Sequence, residues 1–282
     1  MTMRNKGNDS SAPPPGSILV AQREEHEWTF EYTRLSADAH DRLDRAIDAM
    51  GAGNVVRAES DLRELLAQFP EFIDARHHLA MLLLDTGRNA EAFTAWQRAV
   101  DIGVGCFPRT FAVGRDELPW YDIDNRPFLR AYHGYGLQLR QQGFVGLALK
   151  VFGELLALNP NDNQGIRALL VDGYFHLGRS EDVLDVCEEF EGDSMAETMY
   201  GKVLALLQLR RAEEAASALR DAIAALPLVA KELTKQRHRQ PRSKWPGCVT
   251  HGGPDQAYEY WKTQGEHWAN TPGAIAFVAQ HL

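Results

Sequence analysis

The sequence predicts an all-α fold: a superhelix of about five helix-turn-helix units, closed by a helical C-terminal cap. Three observations predict it. Columns of small and of large apolar residues recur at a shift of 34 residues, and recur again at shifts of 56 and 67 residues. A glycine follows the first helix of several units, and a proline follows the second. Self-similarity at a fixed period of this length is typical of stacked helical repeats.

The small residues mark the points where two helices cross. Ala46 aligns with Ala80 at a shift of 34, and Ala80 aligns with Gly136 at a shift of 56. Antiparallel helices joined by a tight turn approach closely, so only small side chains fit at the crossing. The second helices carry a small column of their own, formed by Ala58, Ala92, Ala148 and Ala215.

Three further columns complete each unit. A large apolar residue fills the space against the neighbouring unit, at Trp96, Phe152 and Leu219. A glycine in the left-handed conformation ends the first helix, at Gly87, Gly143 and Gly178. A proline closes the second helix, at Pro70, Pro160 and Pro227.

These columns resemble the tetratricopeptide signature, which has a period of 34 residues. We therefore predict units at about 39–72, 73–110, 129–162, 163–193 and 194–227, within one repeat domain at 21–227. Each unit buries its apolar face only by stacking on its neighbours. A less regular helical bundle is the alternative, and it would keep the helical class.

Three segments lie outside the repeats. Residues 1–20 are rich in Ser, Pro, Gly and Asn, and we expect a mobile tail there. Residues 228–252 are expected to form a basic linker. Residues 253–282 carry Tyr and Trp near helical spacing and are expected to form a helical cap packed on the repeats, since open repeat ends need covering.

An aromatic insertion at about 105–128 separates the second and third units, because the shift of 56 exceeds the period by about 22 residues. Its sequence is CFPRTFAVGRDELPWYDIDNRPF. It has two compatible interpretations: a plug that covers the gap between units, or a binding loop with contacts at Trp120 and Tyr121. Long loops in compact domains are often functional.

Part of the chain also resembles a known family. The runs NRPFLRAYHGYGLQL, ALNPNDNQGIRALLVDGYFHLGR and DQAYEYWKTQGEHWANTPGAIAF are similar to bacterial relatives of the suppressor-of-tumorigenicity-seven family. The resemblance covers about residues 117–280 and implies a helical repeat fold and no reaction. The family's animal members look like membrane proteins. That location is not carried over, because no stretch here approaches 18 uninterrupted apolar residues.

The chain shows no motif for catalysis, so we expect no catalytic residues, no metal site and no cofactor. No nucleotide-binding loop, nucleophile elbow or HExxH pair occurs. An alternative is a metal-dependent protein or enzyme that uses His133, His176 and neighbouring acids. Three scattered cysteines and the lack of an apolar leader favour a cytoplasmic protein.

The first helices of the repeats are expected to line a groove that binds a peptide. Arginines in it could hold a carboxylate with two hydrogen bonds, or could instead pair with Asp or Glu on neighbouring helices. The candidate groove residues are His77, Met81, Arg130, His133, Leu137, Arg140, Arg167 and Tyr174.

The predicted function is therefore a non-catalytic scaffold or adaptor that binds a protein or peptide partner, with no membrane contact. A net charge of −9 disfavours nucleic acid, because phosphate binding needs a clustered positive field. A regulatory nucleic-acid binder that uses the basic segment 231–244 remains an alternative.

Overall fold

The computed structural model describes residues 18–242 and 248–282, which form thirteen α-helices and one two-stranded sheet. The elements in chain order are β1 Ile18–Gln22, β2 Trp28–Tyr32, α1 Ala37–Gly51, α2 Val55–Gln68, α3 Ile73–Asp85, α4 Asn89–Gly105, α5 Arg126–Gln141, α6 Val145–Leu158, α7 Ile166–His176, α8 Ser180–Glu189, α9 Ala196–Gln208, α10 Ala212–Ala225, α11 Pro227–Leu233, α12 Pro254–Asn270 and α13 Ala274–Gln280. Helices α1 to α10 follow one another along the chain as five helix-turn-helix units, so the all-α repeat fold is confirmed.

The residues of the repeat columns occupy the positions that the sequence predicts. Gly87, Gly143 and Gly178 follow first helices with φ angles of 79°, 84° and 67°. A residue with a Cβ would be strained in this left-handed conformation, which explains the glycine column. The predicted alanines and the large apolar column are buried: Ala46, Ala58, Ala80, Ala92, Ala148, Ala215, Trp96, Phe152 and Leu219.

The chain divides into two compact units. Of the described residues, the first unit comprises 18–138 and 157–160, and the second comprises 139–156, 161–242 and 248–282. In the first unit, α1 packs on α2, α2 on α3, and α3 on α4. In the second unit, neighbouring helices from α7 to α13 pack in turn, and α12 also contacts α7 and α9.

A β-hairpin precedes the repeats, where the sequence analysis expects a tail followed directly by helices. Strands β1 and β2 are antiparallel, with Ile18 opposite Tyr32 and Gln22 opposite Trp28. The expectation of a tail at 1–20 is therefore wrong for Ile18–Val20, and its other residues lie outside the described ones. The strands form because short β-branched and aromatic runs bury alternate side chains on a pleated surface.

The hairpin and the aromatic insertion share a cluster of rings. Trp28 meets Phe111 edge-on, with ring centroids 5.6 Å apart. Phe30 lies 6.1 Å from Phe107 and 5.1 Å from Phe128 between centroids. These contacts pack aromatic rings of the insertion against β2, and the interpretation of the insertion as a plug between the second and third units stays a prediction.

Asn125 fastens the insertion to the hairpin. Its side chain is fully buried, in a short 3-10 turn at Ile123–Asn125. Asn125 Oδ1 accepts a hydrogen bond of 3.1 Å from the backbone N–H of Phe30. Asn125 Nδ2 donates to the backbone oxygens of Trp28 at 3.0 Å and of Pro119 at 3.1 Å. The side-chain amide of Asn125 thus bonds three backbone groups. Two lie in the hairpin and one in the insertion, and no regular β-ladder joins these two segments.

The C-terminal region is more helical than predicted. The expected linker at 228–252 begins inside α11, because Pro227 occupies the first turn of a helix, where its fixed φ is favourable. Helix α11 packs on α12. Helices α12 and α13 occupy the segment predicted as a helical cap, and α12 contacts repeat helices α7 and α9. The five residues at 243–247, which belong to the predicted basic linker, lie outside the described residues.

We predict that Asn125→Ala lowers the free energy of unfolding of the first unit by about 3 kcal/mol, because it leaves buried backbone groups without partners. Asp124→Ala, a change at the neighbouring exposed position, should cost less than about 0.5 kcal/mol. Urea unfolding followed by tryptophan fluorescence measures both. Equal stabilities for the two variants would show that the Asn125 hydrogen bonds contribute nothing.

Candidate peptide-binding pocket

A pocket of about 340 Å³ opens between α3 and the part of α5 that belongs to the first unit. Such a volume lies at the lower end of the range for ligand pockets, roughly 300–1,000 Å³. Its walls combine apolar side chains with a few polar ones. The lining residues are His77, Met81, Leu84, Asp85, Trp96, Arg130, His133, Gly134, Leu137 and Gln138.

Five of the eight predicted groove residues lie together in this pocket. His77 and Met81 stand one turn apart on α3, while Arg130, His133 and Leu137 follow one face of α5. Residues three, four and seven positions apart share a helix face, so the sequence alone predicts that the residues on each helix lie together. Met81 and Leu137 are 39% and 38% exposed, so the pocket has an apolar rim.

The floor of the pocket is a tryptophan packed against a glycine. Trp96 is buried, and a Cβ added at Gly134 would lie only 2.5 Å from its Cε2 and Nε1 atoms. The indole therefore reaches α5 only because Gly134 has no side chain. The repeat columns predict Trp96 only as a large apolar packing residue and not as part of the site. The sequence signal for its place in the pocket is Gly134, a glycine inside α5 that lies one helical turn from Arg130 and three residues from Leu137.

His77 is a neutral polar group in the pocket wall. Trp96 Nε1 donates a hydrogen bond of 3.0 Å to His77 Nδ1. An indole N–H only donates, so Nδ1 is the acceptor and Nε2 carries the proton. Burial, together with the neighbouring His78, lowers the pKa of His77 to about 3. His77 is thus a neutral, nearly buried side chain at physiological pH.

Arg130 is tied to an aspartate. Its Nη2 lies 3.1 Å from Asp74 Oδ1 and 3.3 Å from Oδ2. Burial raises the pKa of Asp74, but the hydrogen bond from His78 and the charge of Arg130 outweigh burial, so the pKa falls below its ordinary value. Arg130 therefore stands at the pocket as half of an ion pair, and its side chain is 38% exposed.

The other three predicted groove residues belong to the second unit, and each has a local partner. Arg167 donates to Asp162 at 2.7 Å and to Asp193 at 2.8 Å. Tyr174 lies under the guanidinium of Arg179, at 4.9 Å from the ring centroid. Arg140 forms an ion pair with Asp172.

The two insertion residues differ in exposure. Trp120 is half-buried, its carbonyl accepts from Arg126 Nε at 2.8 Å, and the Arg126 guanidinium lies 5.3 Å from its ring centroid. Tyr121 is 67% exposed, and its hydroxyl donates to Glu27 of the hairpin. Trp120 therefore packs within the insertion, whereas most of Tyr121 is exposed to solvent.

Two alternatives remain from the sequence: a site that uses His133 and His176, and nucleic-acid binding by the basic segment 231–244. His133 lies in the first unit and His176 in the second; within the second, His176 lies beside Asp172 and His267. In the segment 231–242, Lys235 and His238 both pair with Glu232. Lys244 lies outside the described residues. No described helix is long and apolar enough to cross a bilayer.

We predict that Gly134→Ala destabilises the first unit by about 1–3 kcal/mol, because the new methyl group collides with the Trp96 indole. Gly153→Ala on α6 is the matched control. A Cβ there meets nothing within 4 Å, so alanine should stabilise its helix by up to about 1 kcal/mol. Thermal unfolding compares the two. The pocket floor is wrongly described if both substitutions raise the melting temperature.

We predict a pH dependence of stability from His77. Its pKa is lowered in the folded protein from the ordinary 6.5, so the unfolded chain binds the proton more readily. This contribution is fully present above about pH 6.5 and is lost as pH falls toward 3, at up to about 1.4 kcal/mol per pH unit. In His77→Asn, the amide oxygen still accepts from Trp96 without titrating.

Urea unfolding at several pH values between 7 and 4.5 measures the effect. The His77→Asn variant should lose less stability on acidification than the unaltered chain. His40→Asn, a change at an exposed position of α1, should behave like the unaltered chain. Parallel curves for all three proteins would contradict a buried neutral His77.

Comparison with solved structures places the fold. The chain is similar to YrrB, described as a tetratricopeptide repeat protein with an unusual peptide-binding site: identity is 17%, 67% of this chain and 87% of that chain are covered, and the TM-score is 0.50. A tetratricopeptide repeat protein from Parabacteroides merdae gives 14% identity, 68% coverage of each chain and a TM-score of 0.50. At these identities the similarity shows the tetratricopeptide-type fold alone.

Comparison at the sequence level identifies the family. None of the curated protein sequences matches the chain. The family model of Tcf25, described as transcriptional repressor TCF25, matches residues 31–258. The resemblance to the suppressor-of-tumorigenicity-seven family stays a prediction. The matched segment covers most of the chain, from β2 to the start of α12, and the chain therefore belongs to the Tcf25 family.

Proposed function

We propose that this chain is a non-catalytic scaffold that binds a partner protein through a short peptide segment, with one apolar side chain of that segment in the pocket between α3 and α5. The observation that carries the proposal is the pocket itself. It joins an apolar rim to a wall in which Trp96 holds the neutral side chain of His77, and five of the eight residues predicted as a groove line it.

The chemistry of the pocket indicates the class of its occupant. Met81, Leu84 and Leu137 present an apolar wall, and methionine adapts its shape to different side chains. His77 Nε2–H can donate to a peptide carbonyl, and Arg130 places a positive charge nearby. These features favour a peptide with a leucine-sized or aromatic side chain and a carbonyl or carboxylate beside it.

The pocket supports binding over catalysis. Its ten described lining residues include no serine, cysteine or lysine that an adjacent base could activate as a nucleophile. The histidine held in place by Trp96 has a pKa of about 3, far below the neutral range in which a general base is most effective.

The family description supplies a context for the partner. It names transcriptional repression, and we propose that this chain would act there by contact with another protein. A net charge of −9 disfavours direct DNA binding. The basic segment 231–244 gives less support, because Lys235 and His238 are paired with Glu232. A cytoplasmic location stays a prediction from the scattered cysteines.

The test is selection of peptides by the pocket. The full chain is used to enrich binders from a displayed random-peptide library, and their Kd values are measured by fluorescence polarisation. We expect the enriched peptides to share one large apolar residue. Leu137→Glu should weaken their binding at least tenfold, because it places a carboxylate on the apolar rim.

The matched control is Val56→Glu. Val56 is 83% exposed on α2 and does not line the pocket, so this variant should bind within twofold of the unaltered chain. Two results would contradict the proposal: selected peptides that bind the Leu137→Glu variant as well as the original, or a selection that enriches no peptide.

A further inference from the structure

Three side chains with metal-ligating atoms meet in the second unit, apart from the residues of the pocket. They are Asp172, His176 and His267, and one ligand atom of each lies within 4.8 Å of the others. Asp172 and His176 stand one turn apart on α7, so both project from the same face. His267 comes from α12, which packs on α7.

Packing holds the second histidine in place. The His267 ring lies against Phe175, with centroids 5.3 Å apart, and its side chain is only 12% exposed. It meets the His176 ring edge-on at 4.7 Å between centroids. Two imidazoles from different helices therefore stand at fixed positions above one carboxylate.

The separations suit one small cation. His267 Nε2 lies 3.4 Å from Asp172 Oδ1, and His176 Nδ1 lies 3.5 Å from Asp172 Oδ2. Two ligands at about 2.1 Å from a tetrahedral ion are themselves about 3.4 Å apart. His176 Nδ1 also lies 3.0 Å from the backbone oxygen of Asp172, so Nδ1 carries a proton in this arrangement, and a cation bound at Nδ1 requires the tautomer with the proton on Nε2.

The carboxylate is buried among polar groups. Asp172 is 2% exposed, and its Oδ1 accepts from Gln264 Nε2 at 3.1 Å and lies 3.4 Å from His267 Nε2. Its other oxygen, Oδ2, forms an ion pair with the Arg140 guanidinium. The Oε1 atom of buried Gln264, beside this carboxylate, has no hydrogen-bond partner. A buried polar atom without a partner is costly, and a cation bound at this cluster would explain it.

Arg140 is the competitor for this site. Its positive charge balances Asp172, and a divalent cation would have to displace it. The side chain of Arg140 is 32% exposed, so it can turn toward solvent when a cation binds. The competition predicts a distinctive response: removal of the arginine charge should strengthen cation binding.

We propose that Asp172, His176 and His267 bind a divalent transition-metal cation of the zinc class, which ties helix α12 to the fourth repeat. Two imidazoles and a carboxylate suit zinc and related metals, whereas calcium and magnesium prefer oxygen ligands alone. The site uses none of the pocket residues, so it stands or falls independently of the peptide-binding proposal.

The test is titration of the full chain, purified without a polyhistidine tag and treated with a chelator, with Zn²⁺ followed by calorimetry. Co²⁺ absorption between 500 and 700 nm reports tetrahedral nitrogen and oxygen ligands. We expect one equivalent of Zn²⁺ to bind at this site. His176→Gln and His267→Gln should each weaken its binding at least tenfold. Arg140→Gln should strengthen it.

The control is His281→Gln, at an exposed position outside the cluster, which should bind within twofold of the original. His176 is itself exposed, so its substitution leaves the packing of α12 intact, and circular dichroism checks the fold. Unchanged Zn²⁺ binding in both histidine variants, or no saturable binding by the original chain, would overturn the proposal and leave the cluster as a polar contact between helices.

Discussion

The packing of helices in the first unit depends on the indole ring of Trp96. Trp96 comes from the second helix of its repeat, hydrogen-bonds to His77 on the first helix of that repeat, and lies against Gly134 on the first helix of the next. Three helices are thus held at distances set by the width of one aromatic ring. The same relation of a large side chain to a helix glycine recurs where Phe128 meets Gly103 and where Leu149 meets Gly173. Repeat stacking in this protein is therefore a matter of local size complementarity.

The periodic part of the structure could be predicted from sequence, because each column records the same local constraint several times. Ala80 and Gly87 gain their meaning from counterparts one period away. The hairpin occurs once and has no counterpart, so Ile18–Val20 could not be told from the tail before them. Helix α11 has no counterpart in the other repeats either. The repeat columns predict Pro227 only as the end of a second helix, although a proline that ends one helix can begin another.

The site could be predicted in part. Helical spacing places His77 and Met81 on one face of α3, and Leu137 on the face of α5 that carries Arg130. It does not predict which acidic residue pairs with each arginine. Arg130 and Asp74 are 56 residues apart, and Arg167 meets Asp193 across 26 residues. Such pairs depend on how neighbouring helices are rotated, which no single-helix pattern contains. For this reason the sequence left open whether the arginines bind a peptide or pair within the protein.

The bonds of Asn125 have a consequence for synthesis of the chain. Asn125 stands 95 residues after its bonding partner Phe30. At translation rates of 5–20 residues per second, the hairpin waits roughly 5 to 20 s on the ribosome before its amide partner is made. During that interval the first two repeats can form beside strands whose aromatic face is still bare. The two strands are thus synthesised before the helices of this unit, and their contacts are completed only after the second repeat has been made.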